Sequence, residues 1–201
     1  MRGTILNFSP HKKGSSDFIS TYLFENFKKY IEIEKININE FKITPCGNCV
    51  DYCFKHGKCK IKDDMPYICS HFEKDDFLII VTPVYFYHIP GYAKIMIDRT
   101  QPYWVKKYVL KETFFKERPG FLICIGATKG EKLFCGINLT IKYFFDIFNF
   151  KFNKNLNFYL KKIEKKEEII KENLENYFSK LADELNVVYE SKRKSYKKKK
   201  S

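Results

Sequence analysis

The chain lacks the phosphate-binding signatures that most quickly assign an α/β protein. No G-x-G-x-x-G follows its first apolar run, which excludes a standard Rossmann dinucleotide domain, and Lys12-Lys13-Gly14-Ser15 has no upstream glycine and so is not a Walker loop. Met1 to Phe8 leads straight into a polar Ser/Pro/Lys/Gly segment with no cleavage site, so no secretory signal is expected and a cytoplasmic location is. Long apolar runs are missing too. The 17 uncharged residues from Phe77 to Ala93 approach spanning length, but Pro83, His88, Pro90 and Gly91 interrupt them, which argues against a membrane span. Without an export signal, cysteines should be thiols, metal ligands or redox groups rather than disulfides, and their odd number, seven, agrees.

Acid is absent from the last eleven residues, Ser191 to Ser201, which hold seven Lys and Arg. Setting those seven charges aside reduces the net charge from +13 to +6, so the basic balance mostly reports a tail. Residues 189–201 read as a disordered basic tail, and no specific nucleic-acid partner is expected. A chain of 201 residues that is 44% apolar can bury one sizeable core, placed here at residues 1–188 with a Cys-rich insert at 44–70.

Thr4 to Phe8 is a short apolar run, followed by a polar loop and an amphipathic segment with Ile19, Leu23, Phe27 and Tyr30 on one side. A β-branched run from Ile31 to Ile38 follows, then continuous apolar runs at Phe77–Val81 and Phe121–Ile125, the pattern of strands covered on both faces. A fifth strand is expected at Leu156 to Leu160. Helices are expected around Tyr92 to Val109 and Leu133 to Phe148, and a last one carries Ile163, Ile170, Leu174, Tyr177, Leu181 and Leu185 at helical spacing. Strands alternating with helices predict an α/β fold, a flavodoxin-like three-layer α/β/α sandwich with a five-stranded parallel sheet in the order 2-1-3-4-5.

Two loops carry candidate chemistry. Ser9-Pro10-His11-Lys12-Lys13-Gly14-Ser15-Ser16 places hydroxyls, cations and backbone N–H groups at a helix N-terminus, where a phosphate is favoured; an ordinary Ser-capped turn is the alternative. Thr82-Pro83-Val84-Tyr85-Phe86-Tyr87-His88-Ile89-Pro90 follows the third strand, where aromatics and prolines form a wall for a flat ligand or pack into core and subunit contacts. At these loops the sequence resembles the flavodoxin-like NAD(P)H-dependent FMN reductases, including the iron–sulfur flavoproteins. Two further segments match that family's pattern: Gly57-Lys58-Cys59-Lys60-Ile61-Lys62-Asp63-Asp64-Met65, and Ala93-Lys94-Ile95-Met96-Ile97-Asp98-Arg99.

The resemblance implies an FMN phosphate held by Ser9, His11, Gly14, Ser15 and Ser16, with Lys13 compensating for the His that replaces the family's Arg. It implies an isoalloxazine edge against Pro83, Val84, Tyr85 and Phe86, and a third contact from Gly126-Ala127-Thr128-Lys129-Gly130. NAD(P)H is the implied reductant, the acceptor is a small molecule or a protein, and the implied assembly is a dimer or tetramer. Cys46, Cys49, Cys53 and Cys59 are spaced C-x2-C-x3-C-x5-C, one residue longer between the second and third than in the iron–sulfur flavoproteins. They suit a 4Fe–4S cluster, a zinc site or reduced thiols. Cys69, Cys124 and Cys135 read as packing residues, Asp98 with Arg99 as a structural ion pair or helix-end contact, and Asp63-Asp64 as a cap before Met65. The resulting expectations are an FMN oxidoreductase, or an iron–sulfur flavoprotein relaying electrons between proteins.

Overall fold

In a computed structural model, residues 1–112, 115–128, 130–153, 158–161 and 167–189 are described. One parallel sheet organises them: β1 (Arg2–Asn7), β2 (Glu32–Asn37), β3 (Phe77–Pro83), β4 (Arg118–Gly126), β5 (Phe150–Phe152) and β6 (Phe158–Lys161). The order is β2-β1-β3-β4-β5. Both β5 and β6 pair with β4, the first along Arg118–Gly120 and the second along Ile123–Gly126, so two short strands share the fifth position. Pairing there starts at Phe150, ahead of the expected Leu156.

The helices are α1 (Ser15–Phe27), α2 (Val50–His56), α3 (Met65–Lys74), α4 (Gly91–Asp98), α5 (Gln101–Trp104), α6 (Cys135–Ile147) and α7 (Glu167–Glu184). The single helix expected around Tyr92 to Val109 is thus α4, α5 and a π-turn at Val105–Val109. Alternation along the strands divides the core. Leu6, Leu78, Ile80, Leu122 and Cys124 face α3, α4 and α6, whereas Ile5, Ile79, Val81, Phe121 and Ile123 face α1 and α7. Covering both faces explains why β3 and β4 are continuously apolar; each Ile, Leu or Phe so buried contributes about 1.5–3 kcal/mol. Although Met65 to Cys69 fall within the segment read as an insert, α3 sends Met65, Ile68, Cys69 and Phe72 into the core as the crossover helix between β2 and β3. Ile163 and the tail from residue 190 lie outside the described residues.

A buried polar network ties the amino ends of the strands. Thr4 Oγ1 donates to Asp75 Oδ2 and stands 3.0 Å from His71 Nδ1, so the consistent pattern has His71 donating to Thr4. Arg2 Nε lies 2.9 Å from Asp75 Oδ1, and Arg118 Nη1 donates to the Asp75 carbonyl at 2.8 Å. Among the described residues no helix is long and apolar enough to cross a membrane.

Candidate functional site

The chain leaves β1 towards β2 and then returns to β3 on the other side. The loops after β1 and β3 therefore diverge, leaving a crevice at the carboxyl edge of the sheet. Backbone bonds from Phe8 N to Val81 O (2.9 Å) and from Val84 N to Ile125 O (2.8 Å) carry the pairing past the strands and fix where the loops begin.

The first loop is shaped by its own polar groups. Asn7 Oδ1 accepts from Ser9 N at 3.1 Å, and Ser9 Oγ accepts from His11 N at 3.2 Å. Lys13 adopts a left-handed backbone with φ of 61°, and its N–H donates to Asp17 Oδ2 at 3.0 Å. Burial pushes the Asp17 carboxyl up, but the Lys35 ammonium 2.6 Å away and the Lys13 N–H outweigh it, and its pKa is lowered. No side chain caps α1; Ser15 and Ser16 stand in its first turn with Asp17, whose carboxylate is turned to Lys13 N and Lys35, and the dipole and N–H groups of such a helix end favour an anion. Ser9 and Ser16 are buried, His11 and Lys13 exposed, and Gly14 is the residue preceding the helix.

The second loop is a tight hairpin. Tyr85 and His88 exchange both backbone hydrogen bonds (2.8 and 2.9 Å) around Phe86 and Tyr87, whose φ values of 47° and 62° are those of a type I′ turn. Bulky residues are uncommon in that conformation. The hairpin is held from below. A Cβ on Gly130 would stand 2.4 Å from Tyr87 Oη, one on Gly136 would stand 2.8 Å from Tyr87 O, and His88 Nε2 lies 3.0 Å from Thr140 Oγ1. Pro83 and Val84 are half-buried, Tyr85 is exposed, and Phe86 projects fully into solvent at the tip. Gly126 is the buried last residue of β4 and Thr128 is exposed just after it, and Lys129 lies outside the described residues. Sequence reasoning missed Asn7, Gly136 and Thr140, and it named Gly130 as part of the third loop without its contact with Tyr87. Only the buried polar Asn7 at a strand's carboxyl end left a local signal.

The four clustered cysteines line one open cavity of about 330 Å³ together with Val50, Phe54 and Pro102. The extra residue between Cys49 and Cys53 is accommodated by α2. Cys53 N donates to Cys49 O at 3.1 Å, and a spacing of four places both thiols on one helical face. Gly57, left-handed at φ 57°, ends α2, and Cys59, two residues on, also lines the cavity. Burial and then the neighbouring Cys59, Cys46 and Cys49 push the Cys53 thiol up. Among the described residues no three His, Cys, Asp or Glu side chains gather closely enough to hold a single metal ion.

Asp63 and Asp64 clamp this segment. Asp63 accepts from Thr44 N (2.9 Å) and Met65 N (3.1 Å), and Asp64 accepts from Lys42 N (2.7 Å). Asp98 and Arg99, expected as a structural ion pair or helix-end contact, do not pair with each other: Arg99 stands at the end of α4 and pairs with Asp63, with both the Arg99 and Asp63 side chains at most 1% exposed, while Asp98 pairs with Lys94. Burial raises the Asp63 carboxyl, but the Arg99 guanidinium and the two N–H donors hold it below the usual carboxylate range. Arg99 Nη2 also donates to Cys59 Sγ at 3.4 Å. Cys69 and Cys124 are buried as expected, and burial pushes the Cys69 thiol up to about 12. Cys135 is instead exposed, in the first turn of α6 beside the third loop, because its helix turns that position to solvent.

A family model described as NADPH-dependent FMN reductase matches residues 1–138. The chain belongs to that family. Its match covers β1 through the start of α6 and so includes all three loops and the cysteine cavity. Among curated proteins this FMN reductase family member is similar to an iron–sulfur flavoprotein of Archaeoglobus fulgidus, 32% identical over 116 residues, which are 57% of this chain and 56% of the relative. An iron–sulfur flavoprotein of Clostridioides difficile is 33% identical over 100 residues, 48% of this chain and 44% of the relative. The chain spans about half the length of these relatives. Among solved structures, an FMN-dependent NADH-azoreductase from Bacillus anthracis in complex with FMN superposes with a TM-score of 0.62 at 15% identity, covering 90% of this chain and 99% of that one. An NAD(P)H:quinone oxidoreductase from Methanothermobacter marburgensis gives 0.62 at 15%, covering 89% and 94%. At those identities the likeness shows the flavodoxin-like fold.

Proposed function

We propose that this chain is an FMN-dependent oxidoreductase that passes electrons from NADH or NADPH to a small-molecule or protein acceptor. The observation that supports the reading is that an uncapped helix N-terminus and two further loops follow the carboxyl ends of the adjacent strands β1, β3 and β4, where strand order reverses. The α1 N–H groups with Ser15, Ser16, Gly14, His11 and Lys13 would hold the phosphate, with Ser9 shaping the loop. Pro83, Val84, Tyr85 and Phe86 would border one edge of the ring system and Gly126 and Thr128 the other. Bound FMN supplies the hydride-accepting chemistry, and the protein binds, orients and excludes water. Tyr87, His88 and Thr140 fasten the hairpin so that this wall stays in place.

The four cysteines support a second reading, a 4Fe–4S cluster that would make the chain an iron–sulfur flavoprotein serving as a carrier between redox proteins. Four thiols lining one cavity, with an N–H···S bond from Arg99 to Cys59, supply the donor type that such a cluster takes and support this reading. All seven cysteines are unpaired, which suits a reducing cytoplasmic setting. Exposed Tyr85, Phe86, Tyr87, Leu139 and Tyr143 near the crevice suit a homodimer or homotetramer, which sedimentation would register. The deciding experiment is anaerobic purification followed by a visible spectrum with iron and acid-labile sulfide analysis, before and after NADPH. Flavin bands that bleach support the reductase, and added broad absorption with stoichiometric iron supports the cluster. A colourless protein that fails to bind added FMN refutes the flavin reading.

A further inference from the structure

We propose that Arg99 is the positioning residue of the cysteine cavity, fixing both ends of the cysteine segment to α4 and raising the reduction potential of the cluster through its contact with Cys59. The inference rests on the reading that the four cysteines hold a cluster. Arg99 follows the last residue of α4, tied there by its N–H to Ile95 O at 3.1 Å. From that fixed base one guanidinium reaches three points. Nη1 donates to the Thr44 carbonyl, just ahead of Cys46, and to Asp63 Oδ2; Nη2 donates to Asp63 Oδ1 at 3.1 Å and to Cys59 Sγ at 3.4 Å. Asp63 in turn holds the backbone of Thr44 and Met65. The segment bearing all four cysteines is therefore pinned at entry and exit by one planar fork, which a lysine's point charge could not reproduce.

The same contact has an electronic sense. Of the described residues lining the cavity, Arg99 is the one cation and Asp98, itself paired with Lys94, the one carboxylate. A bound cluster carries excess negative charge that grows when it accepts an electron, and both a nearby cation and an N–H···S bond favour the more negative state. Asp63 offsets part of the charge, whereas the N–H of Nη2 is aimed at the sulfur itself. Removing Arg99 together with Asp63 takes away the hydrogen bond without stranding either charge.

The test compares the full-length protein with Arg99→Lys and with the double variant Asp63→Leu/Arg99→Met, all reconstituted anaerobically with ferrous iron and sulfide. FMN content reports folding, because the FMN loops are separate from this segment. Iron and sulfide per chain and the midpoint from an electrochemical titration followed by electron paramagnetic resonance report the cavity. The expected result is retained FMN with less iron in both variants. In the iron that remains, the oxidised-to-reduced ratio at the wild-type midpoint should rise about tenfold, a downward shift of about 59 mV for one electron. Variants that load iron fully and titrate at the wild-type midpoint would overturn this inference alone. A wild-type protein that takes up no iron would overturn the cluster reading and this inference with it.

Discussion

Asp63→Asn removes one charge from a pair in which both side chains are essentially inaccessible, leaving the Arg99 cation buried opposite an amide. Breaking such a pair from one side costs about 3–5 kcal/mol, because the remaining ion has lost both its counter-charge and access to water. At about 2–4 °C per kcal/mol for a chain of this size, the melting temperature should fall by roughly 6–20 °C. The pair also predicts a pH dependence. The Asp63 pKa is lowered on folding, so its stabilisation is fully present above the unfolded carboxylate value of about 3.9 and is lost as pH falls through the lower folded value. Arg99 stays charged throughout that window. Urea denaturation followed by circular dichroism, at pH 7 and at steps below pH 4, would measure both effects. Wild type should lose stability on acidification more steeply than Asp63→Asn, and the two curves should approach each other at the acid end. A loss below about 1 kcal/mol at pH 7, or parallel acid limbs, would refute the assignment and place the pair among weak, solvent-screened contacts.

Ser15→Asp adds an acid to the first turn of α1, which should stabilise the helix by about 0.3–1 kcal/mol while repelling a phosphate. Fluorescence titration should show FMN binding weakened at least tenfold, on the order of 1.4 kcal/mol, and unchanged affinity would remove the phosphate from this helix. Gly130→Ala places a methyl group 2.4 Å from Tyr87 Oη and should shift the hairpin, lowering FMN affinity several-fold while stability changes by about 1 kcal/mol or less. Phe72→Ala removes a fully buried ring centred 5.3 and 5.1 Å from those of Phe144 and Phe148, and chemical denaturation should register a loss of about 3–5 kcal/mol.

The central strands were legible because Phe77–Val81 and Phe121–Ile125 are apolar at every position, as burial on two faces requires. Phe150–Phe152 escaped notice because three residues following a left-handed Asn149 give no periodicity to read. The seven-residue α2 was hidden for a similar reason, yet it decides how the longer cysteine spacing works: what looked in the sequence like an insertion is one helical turn. Arg99 is the helix-end, ion-paired residue that was expected, but its partner was not legible. Neighbouring residues on a helix point about 100° apart, so Asp98 and Arg99 were poorly placed to pair, while Lys94 and Asp98, four apart, were well placed. The true partner lies 36 residues away in sequence, which only the fold brings near.

The network of Arg2, Thr4, His71, Asp75 and Arg118 sits at the opposite end of the same strands from the three loops. Along β3, seven residues long, that separation is about 20 Å, beyond the range of roughly 7–10 Å within which substitutions usually interact. Changes at the two ends should therefore combine additively. In engineering terms the amino end is a chassis and the carboxyl end a socket: the loops after β1, β3 and β4 can be diversified as a library while the buried polar network at the other end is left untouched.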